Sequence, residues 1–421
     1  MTYLTIMLVL ALTATLCWAP RFRRAALGDP TPALGRHFHA LNGFVLIATL
    51  FWCYIAIRTG ARLDYTQYLI QWDMVLSGEV MPWGEHSRNA YGPLYNLLAP
   101  LIRLDAYLPK CLFVFAWAWS SVFLVGQSYR RSGQPLDAWM MAFVMLVSPF
   151  FAVLIAHYGF FDILPAGLIL MAVHLRTKDR DGWAGAALAA AVLLKYYPLA
   201  VLPFLMLDGR KLRLKLLISC LGLIGLGMLA SFAWWGDSTL HPLMFASDRE
   251  SKWLSVFRVL RGPYSPLKLF MEDPNADALS VPAMILFGGG LWLWCWLRRV
   301  PVVPACIAGL AIGLQFYKVG HVQFQMSVIL LIGYAFATGQ LLSSRHRAAL
   351  ISGLAYLGWL TVFVLVYAIL RRVSREGLLL SIRDFSGWIG LAMTLWLVAG
   401  NLSPYRFSRR KPVPVTPGEN S

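Results

Sequence analysis

The sequence predicts an all-α membrane protein that crosses the bilayer many times, and three observations support this. The chain of 421 residues is 58% hydrophobic and 14% charged, with a mean hydropathy of +0.61. A soluble domain cannot bury so much apolar surface. Apolar runs of about 17–23 residues recur along the chain, the length that a helix needs to cross about 30 Å of hydrocarbon. Ten-residue stretches of strict apolar–polar alternation are absent, which argues against a β-barrel.

Nine apolar segments are the predicted spans. They lie near residues 2–19, 39–58, 109–128, 137–156, 161–175, 215–235, 279–297, 348–370 and 385–401. Short loops rich in Lys and Arg, such as residues 129–131 and 210–215, are typical of the cytoplasmic side. This bias accounts for the net charge of +17, so we expect no nucleic-acid partner. The predicted amino terminus is outside and the carboxyl terminus inside.

Two further segments, residues 183–207 and 302–342, begin and end on the predicted cytoplasmic side. Each must therefore cross an even number of times, and we expect hairpins of half-length helices broken near residues 195–198 and 317–323. Broken helices are tolerated where they are buried in protein or line a cavity, and their free ends suit ions and polar groups. The expected total is about 11–13 spanning or half-spanning helices.

The longest predicted outer loop, residues 59–108, is the expected catalytic loop. It contains a short helix after Asp64 and an amphipathic piece over residues 91–104, both expected to lie in the membrane interface. We expect residues 1–410 to form one transmembrane domain and residues 411–421 to form a disordered, Pro-rich cytoplasmic tail.

Asp64 is the first candidate for chemistry, because it stands where the chain leaves the bilayer. A carboxylate there can act as general base toward a hydroxyl group, although an ordinary N-cap at the start of a helix is the alternative. Lys195, Tyr196 and Tyr197 at the first break suit a lipid phosphate, or else a snorkelling lysine in an aromatic belt.

Polar side chains at the second break, including Lys318, His321, Gln323 and Gln325, need partners inside the membrane or contact with a ligand. His157 and Asp162 flank a very short outer turn, where they can pair with each other. Basic residues on the predicted outer face, among them Arg261 and Arg371, suggest an anionic partner such as phosphate. The alternative for these residues is contact with lipid headgroups.

Three stretches of the chain, in order, resemble GT-C glycosyltransferases over about residues 40–340. The first contains Asp64-Tyr65, Trp72, Pro82-Trp83 and Tyr91-Gly92-Pro93-Leu94-Tyr95, and it is similar to their first outer loop. The second contains Lys195-Tyr196-Tyr197-Pro198, and the third runs from Tyr317 to Phe324. The nearest patterns are the catalytic subunit of the mannosyltransferase that adds the first mannose of GPI anchors and the bacterial polyprenol-phosphate-mannose-dependent mannosyltransferases.

The resemblance implies a GT-C fold and the inverting transfer of a hexose from a polyprenyl-phosphate sugar to an extracytoplasmic glycolipid or glycan. Mannose is the leading candidate for that hexose. It implies that Asp64 is the catalytic base. Expected donor-phosphate ligands are Lys195, Tyr196, Tyr197, Lys318, His321, Gln323 and Arg261. Expected sugar or acceptor contacts are Tyr65, Trp72, Trp83, Tyr91, Tyr95, His157 and Asp162. Arg62 stands where the GPI enzyme has the first acid of a DxD pair, so no metal cofactor is expected.

We expect the chain to lie in a bacterial inner membrane, with the endoplasmic reticulum as the alternative, surrounded by lipid and with its active site on the extracytoplasmic side. Two other functions fit part of the pattern. An outer-leaflet polysaccharide polymerase or ligase would use lipid pyrophosphates and would not need Asp64. A transporter of lipid-linked sugars would also use broken helices and a basic cavity, but its polar residues would lie near the bilayer midplane in symmetric halves.

Overall fold

The computed structural model confirms the predicted all-α polytopic architecture. It describes residues 2–18, 32–78, 90–240, 242, 252–262, 264–268, 278–341, 346–372 and 376–405. Within these ranges, seven helices are long and apolar enough to cross a membrane, and four shorter apolar helices accompany them.

The helices and strands are, in chain order, α1 (Thr2–Trp18), α2 (Pro32–Arg58), α3 (Asp64–Ser77), α4 (Pro93–Asn96), α5 (Pro100–Leu104), α6 (Leu108–Ser132), α7 (Pro135–Leu146), α8 (Pro149–Phe151), α9 (Ile163–Thr177), α10 (Asp181–Leu194), α11 (Leu202–Leu205), β1 (Leu207–Asp208), β2 (Lys211–Leu212), α12 (Leu214–Trp235), β3 (Lys252–Trp253), α13 (Val256–Arg261), α14 (Ser280–Arg298), α15 (Val302–Phe316), β4 (Val319–Gly320), α16 (Gln325–Ala337), α17 (Arg347–Arg372) and α18 (Glu376–Leu402). A π-helical turn, Ala152–His157, follows α8, and 3-10 turns occupy Tyr197–Val201, Gly236–Leu240, Val322–Phe324 and Ser403–Tyr405.

Local sequence signals explain where α6 and α7 begin and where α6 ends. Pro109 and Pro135 stand in the first turns of the two helices, where proline has no hydrogen bond to lose. Gly133 terminates α6 in the left-handed conformation, φ 65°, and its amide donates to the carbonyl of Tyr129 at 2.8 Å. The span predicted at residues 109–128 is therefore Leu108–Ser132.

Both predicted breaks are present. Helix α10 ends at Leu194, and Lys195 adopts an extended conformation before the 3-10 turn Tyr197–Val201. Pro198 and Pro203 each remove a backbone donor, so the returning half of this hairpin stays short. In the second hairpin, α15 gives way at Phe316 to β4 and a 3-10 turn before α16 begins.

The described parts of the first loop, residues 59–78 and 90–107, are packed against the bundle. Helix α3 buries Tyr65, Tyr68, Gln71 and Trp72 on one face. The expected second amphipathic helix is two short helices, because Pro93 and Pro100 each begin a new one. Trp83 and the predicted tail at residues 411–421 lie outside the described residues.

A cluster of charged side chains stabilises the first hairpin at the end away from its break at Lys195. Its members are Arg176, Arg213, Asp179, Asp181 and Asp208. Arg213 contacts Asp179 and Asp208 at 2.8 Å each, while Arg176 also donates to the carbonyl oxygens of Leu205 and Leu207. The cluster joins the ends of α9 and α10 to the β1–β2 turn, so the first hairpin has a fixed base.

Candidate functional site

A small cavity of about 110 Å³ lies beside Asp64, and we call it the Asp64 pocket. Its polar lining brings together residues from the first loop, the turn after the π-helix, the second break and α17. The lining residues are Leu63, Asp64, Leu154, Tyr158, Phe160, His321, Val322, Gln323, Phe363, Val364, Tyr367 and Arg371. Asp64 is half-buried, and the side-chain amide nitrogen of Gln323 lies 3.5 Å from Asp64 Oδ2. The predicted base, His321 and Gln323 therefore share one cavity.

The backbone around Asp64 excludes the ordinary capping role. Asp64 is the first helical residue of α3, and Leu63 occupies the cap position with no side-chain cap hydrogen bond. The N-cap interpretation of Asp64 is therefore wrong. A carboxylate in the first turn still benefits from the partial positive charge of the helix amino terminus, which favours its ionised form.

Sequence reasoning missed several residues of this pocket. Tyr158 reaches it because the π-helical turn Ala152–His157 shifts the following side chains away from an α-helical path. Tyr367 and Arg371 come from the end of α17, where Arg371 Nη1 donates to the phenol oxygen of Tyr367 at 3.0 Å. Arg371 was predicted only as one of many basic residues on the outer face, with no link to Asp64.

Lys195 lies at the first break in a buried ion pair. Its Nζ is 2.7 Å from Asp162 Oδ1, and the Asp162 side chain is fully buried. Ring centroids of Phe324, Phe161 and Tyr91 lie 4.4, 4.9 and 5.0 Å from the same ammonium nitrogen. Such faces stabilise a cation through the ring quadrupole, so the charge is held by one carboxylate and three rings.

The expected pairing of His157 with Asp162 is wrong, since Asp162 pairs with Lys195. The ring of His157 contacts that of Tyr158 at 4.7 Å between centroids. The backbone carbonyl of His157 accepts a hydrogen bond from Lys110.

The Tyr91-Gly92-Pro93 motif places the first loop on the end of α10. The amide of Gly92 donates to the carbonyl of Leu194 at 3.1 Å, which satisfies one of the carbonyls that a helix end leaves without a partner. A Cβ on Gly92 would overlap the carbonyl oxygen of Leu193, so only glycine allows this approach. The contact brings Tyr91 over Lys195.

The aromatic residues of α3 and α4 support this loop. The side chains of Tyr65, Trp72 and Tyr95 are fully buried, so they offer no surface to a sugar in this structure. Tyr65 donates to the carbonyl of Ala106 at 2.6 Å, and Tyr95 donates to Gln71 Oε1 at 2.8 Å. Burial raises the pKa of both phenols well above the ordinary value, which keeps them protonated as hydrogen-bond donors.

A second, larger cavity of about 460 Å³ lies between the first hairpin, α14 and α15, and we call it the glycine-lined groove. It is lined by Tyr196, Tyr197, Leu199, Ala200, Pro203, Phe204, Met284, Ile285, Gly288, Gly289, Trp292, Gly309, Gly313, Leu314 and Tyr317. Gly288 and Gly289 have open space where a Cβ would stand. The lining of the groove is thus almost wholly apolar. Gly288 and Gly289 leave space in it that a larger side chain would fill.

Phe324 lies between the two cavities. On the groove side, its ring stacks on Tyr197 at 4.8 Å and contacts Tyr317 at 6.0 Å. On the pocket side, His321 lies 5.6 Å away, and Gln323 is its chain neighbour. The Lys195 ammonium lies 4.4 Å from the centroid of the same ring, so the buried ion pair also contacts Phe324.

The second break is held by a short parallel ladder in which β4 pairs with β3. A Cβ on Gly320 would overlap the amide of Ser255, so glycine is needed for this close approach. Lys318 is half-buried here. Gln325 accepts a hydrogen bond from Tyr356 at 2.8 Å, so it finds its partner inside the bundle, between α16 and α17.

Several predicted ligands lie away from the Asp64 pocket. Tyr196 and Tyr197 line the groove instead, and the Tyr197 hydroxyl bonds to that of Ser327 at 2.7 Å. Arg261 ends the short helix α13, and it is not among the described residues that line either cavity. Among the described residues, no three His, Cys, Asp or Glu side chains gather in a group that could hold a metal ion.

The Asp64 pocket and the apolar groove thus lie in one helical bundle whose long helices are apolar enough to cross a membrane. The family model of glycosyltransferase family 87 matches residues 90–314, more than half of the chain. The chain therefore belongs to glycosyltransferase family 87, a GT-C type family, and the GT-C resemblance is confirmed. No curated protein and no solved structure matches the chain. The matched range contains Lys195 and Asp162, whereas Asp64 precedes it and His321 follows it.

Proposed function

We propose that this membrane glycosyltransferase transfers a hexose from a polyprenyl-phosphate sugar to an extracytoplasmic glycolipid or glycan, with inversion at the anomeric carbon. Mannose is the leading candidate for the hexose. The observation that carries the proposal is the adjacency of the Asp64 pocket and the glycine-lined groove across Phe324. A small polar space beside a long apolar one suits a ligand with a polar head and a hydrocarbon tail. The chain would lie in a bacterial inner membrane with Asp64 on the outer side.

The tail of the donor would lie in the glycine-lined groove. An isoprenoid chain offers only apolar surface, and the groove's lining buries such surface without leaving a polar group unpaired. Gly288 and Gly289 leave room on α14 for the chain to enter from the lipid. The membrane lipids around the bundle supply the donor laterally, so no soluble nucleotide-sugar domain is needed.

The donor phosphate would lie near Lys195, with Lys318, Tyr196, Tyr197, His321 and Gln323 as further ligands and Arg261 as a more distant one. Lys195 already has Asp162 as its counterion at 2.7 Å, so the phosphate would share that ammonium. The aromatic faces around it keep the cation in place while its partner changes. Arg371, inside the Asp64 pocket, is the added candidate that the geometry favours.

The reaction at Asp64 would be a single displacement. An acceptor hydroxyl gives its proton to the Asp64 carboxylate as its oxygen attacks the anomeric carbon. The bond between that carbon and the phosphate oxygen breaks on the opposite face, and the electron pair leaves with the polyprenyl phosphate. The leaving group gains one negative charge, which Lys195, His321 and Arg371 offset electrostatically.

Acceptor contacts are proposed for the half-buried Tyr91, which contacts Lys195, and the half-buried His157, which contacts the pocket residue Tyr158. Asp162 would contribute through Lys195. Tyr65, Trp72 and Tyr95 would act by supporting α3, because their rings are enclosed. Trp83 keeps its predicted role in sugar contact, which depends on residues outside the described ranges.

The test is donor selection by the purified chain in lipid nanodiscs with an extract of the natural membrane as acceptor. Labelled polyprenyl-phosphate mannose, polyprenyl-phosphate glucose and a polyprenyl-pyrophosphate sugar are supplied separately. We expect transfer from a monophosphate donor, mannose before glucose, and a product with inverted anomeric configuration by NMR. Transfer from the pyrophosphate alone would favour a polymerase or ligase, and movement of intact donor across the membrane without transfer would favour a transporter.

A further inference from the structure

Lys110 is a fully buried lysine that sequence reasoning passed over. It stands in the first turn of α6, and its side chain is 0% exposed. Its Nζ donates to Thr59 Oγ1 at 2.9 Å, to the carbonyl of Gly60 at 2.9 Å and to the carbonyl of His157 at 3.0 Å. A lysine ammonium has three N–H donors and no acceptor, so these three acceptors use its full capacity.

The partners of Lys110 are neutral oxygens. No described carboxylate lies within salt-bridge distance of it, in contrast to Lys195, which pairs with Asp162. A buried charge without a counterion is costly, and such residues inside a membrane protein usually serve function. Lys110 therefore holds two chain segments together. The Thr59 hydroxyl and the Gly60 carbonyl belong to the segment that follows α2, and the His157 carbonyl belongs to the end of the π-helical turn.

That arrangement leads directly into Asp64. After Gly60, which has φ 67°, the chain passes through Leu63 with φ 50° and ψ −127°. A bulky residue with positive φ is strained, and strain of this kind persists only where the surroundings impose it. Leu63 immediately precedes Asp64 and also lines the Asp64 pocket.

Packing against the turn after the π-helix adds to this arrangement. Tyr65 is fixed through its hydrogen bond to the carbonyl of Ala106. A Cβ on Gly159 would come within 2.8 Å of Tyr65 Cδ2 and 3.0 Å of Lys110 Cε, so the turn after the π-helix is fitted against both side chains. Lys110 and Tyr65 therefore pack against the same glycine turn, with the Lys110 Nζ 5.7 Å from the Tyr65 ring centroid, and Tyr65 directly follows Asp64 in α3.

We propose that Lys110 is a positioning residue: its ammonium holds residues 59–63 in their strained path and so directs the Asp64 carboxylate into its pocket. The proposal rests on the proposed role of Asp64 as base. Without the three hydrogen bonds, Leu63 would relax toward negative φ and the carboxylate would turn away. A displacement of about 1 Å at a reacting group can lower the rate roughly 100-fold.

The test begins with Lys110→Met, which keeps the length and removes the donors. With labelled polyprenyl-phosphate mannose and membrane extract, we expect kcat to fall about 10- to 100-fold while the KM for the donor changes less than about twofold. Thr59→Val removes one acceptor and is the milder variant. We expect it to fold normally and to lower kcat in the same direction by a smaller factor.

The decisive experiment asks whether relieving the backbone strain at Leu63 restores activity. Glycine adopts φ 50° without strain, so adding Leu63→Gly to Lys110→Met should restore at least about fivefold of the lost kcat. Leu63→Ala is the matched control, because alanine enlarges the pocket but keeps a Cβ, and it should restore nothing. A merely structural lysine would lower the melting temperature and the yield of folded protein with no change in kcat.

The proposal is overturned if Lys110→Met and Thr59→Val keep the kcat of the parent, or if Leu63→Gly and Leu63→Ala restore it equally. Failure of the proposed function gives a different pattern. In that case Asp64→Asn would itself retain turnover, whereas a mistaken role for Lys110 leaves Asp64→Asn inactive and Lys110→Met active.

Discussion

The two cavities that meet at Phe324 differ in size and polarity. The Asp64 pocket holds about 110 Å³ and is lined by a carboxylate, a histidine, an amide, an arginine and two phenols among its apolar residues. The glycine-lined groove holds about 460 Å³, and apart from three phenols, one indole and the phenyl ring of Phe204 its lining is aliphatic, methionine or glycine. The pocket has room for one reacting hydroxyl and part of a sugar, and the groove has room for a chain. The difference suggests one amphipathic substrate held by both.

The difference also assigns each cavity its own kind of residue. Side chains at the pocket act by charge and hydrogen bonding, so substitutions there should change turnover. Side chains at the groove act by volume, so substitutions there should change affinity in a way that depends on tail length. The buried pair Lys195–Asp162 contacts Phe324, and substitutions in the pair should affect both stability and donor affinity.

Asp64→Asn should have the largest effect. The amide keeps the shape but cannot take the acceptor proton, so we expect kcat to fall by about 10²- to 10⁴-fold with donor binding retained. Asp73→Asn is the matched control, because Asp73 is an exposed carboxylate on the same helix and does not line the pocket. It should keep normal turnover. An equal loss of kcat in both variants would contradict the role of Asp64 as the catalytic base.

Lys195→Met should have the second largest effect. It leaves Asp162 buried without its partner, a loss of about 3–5 kcal/mol in the free energy of unfolding, and it raises the KM for the donor. Adding Asp162→Asn should recover most of the stability because the unpaired charge is gone. The donor KM should stay high in the double variant. Recovery of both quantities would mean that the pair is purely structural.

Gly288→Leu should weaken the binding of long-chain donors only. A side chain there enters open space in the groove, so we expect the KM for a long-chain polyprenyl-phosphate sugar to rise about tenfold. A donor analogue too short to reach α14 should keep its KM. Gly290→Leu, on the same helix and also in open space but outside the groove lining, is the control. If it weakened long donors equally, the effect would be general to the helix surface.

Tyr95→Phe should have the smallest effect on catalysis. It removes the hydrogen bond to Gln71 beneath the loop and should lower the free energy of unfolding by about 1–3 kcal/mol. Turnover by the folded enzyme should change less than about twofold, since the ring remains. A large loss of kcat with unchanged thermal stability would instead give Tyr95 a direct catalytic role.

The sequence predicted both breaks and seven of the nine spans, whereas the segments predicted at residues 2–19 and 161–175 are the shorter helices Thr2–Trp18 and Ile163–Thr177. These features follow from hydropathy, helix length and proline, all of which act locally. The site residues themselves stay predictions, because the family match concerns the enzyme class. The extracytoplasmic sidedness, the sugar and the acceptor are likewise proposals.

Long-range pairings could not be predicted. Lys195 pairs with Asp162 across 33 residues, and the rule that neighbours in a turn can pair led instead to His157. Lys110 looked like an ordinary residue at the end of a span, and only the return of the chain at His157 gives it a third acceptor. Tyr158, Tyr367 and Arg371 reach the pocket through a π-helical turn and the packing of α17, neither of which leaves a periodic signal.

The central claim is that one lipid-linked sugar occupies both cavities at once. A cryo-electron microscopy structure of the Asp64→Asn variant with bound polyprenyl-phosphate mannose tests it most directly. The account predicts tail density along Gly288 and Gly289, phosphate beside Lys195 and Phe324, and the anomeric carbon facing residue 64. Density for the tail in another groove, or for the phosphate at the end of the bundle that holds the Arg176–Arg213 cluster, would contradict the account.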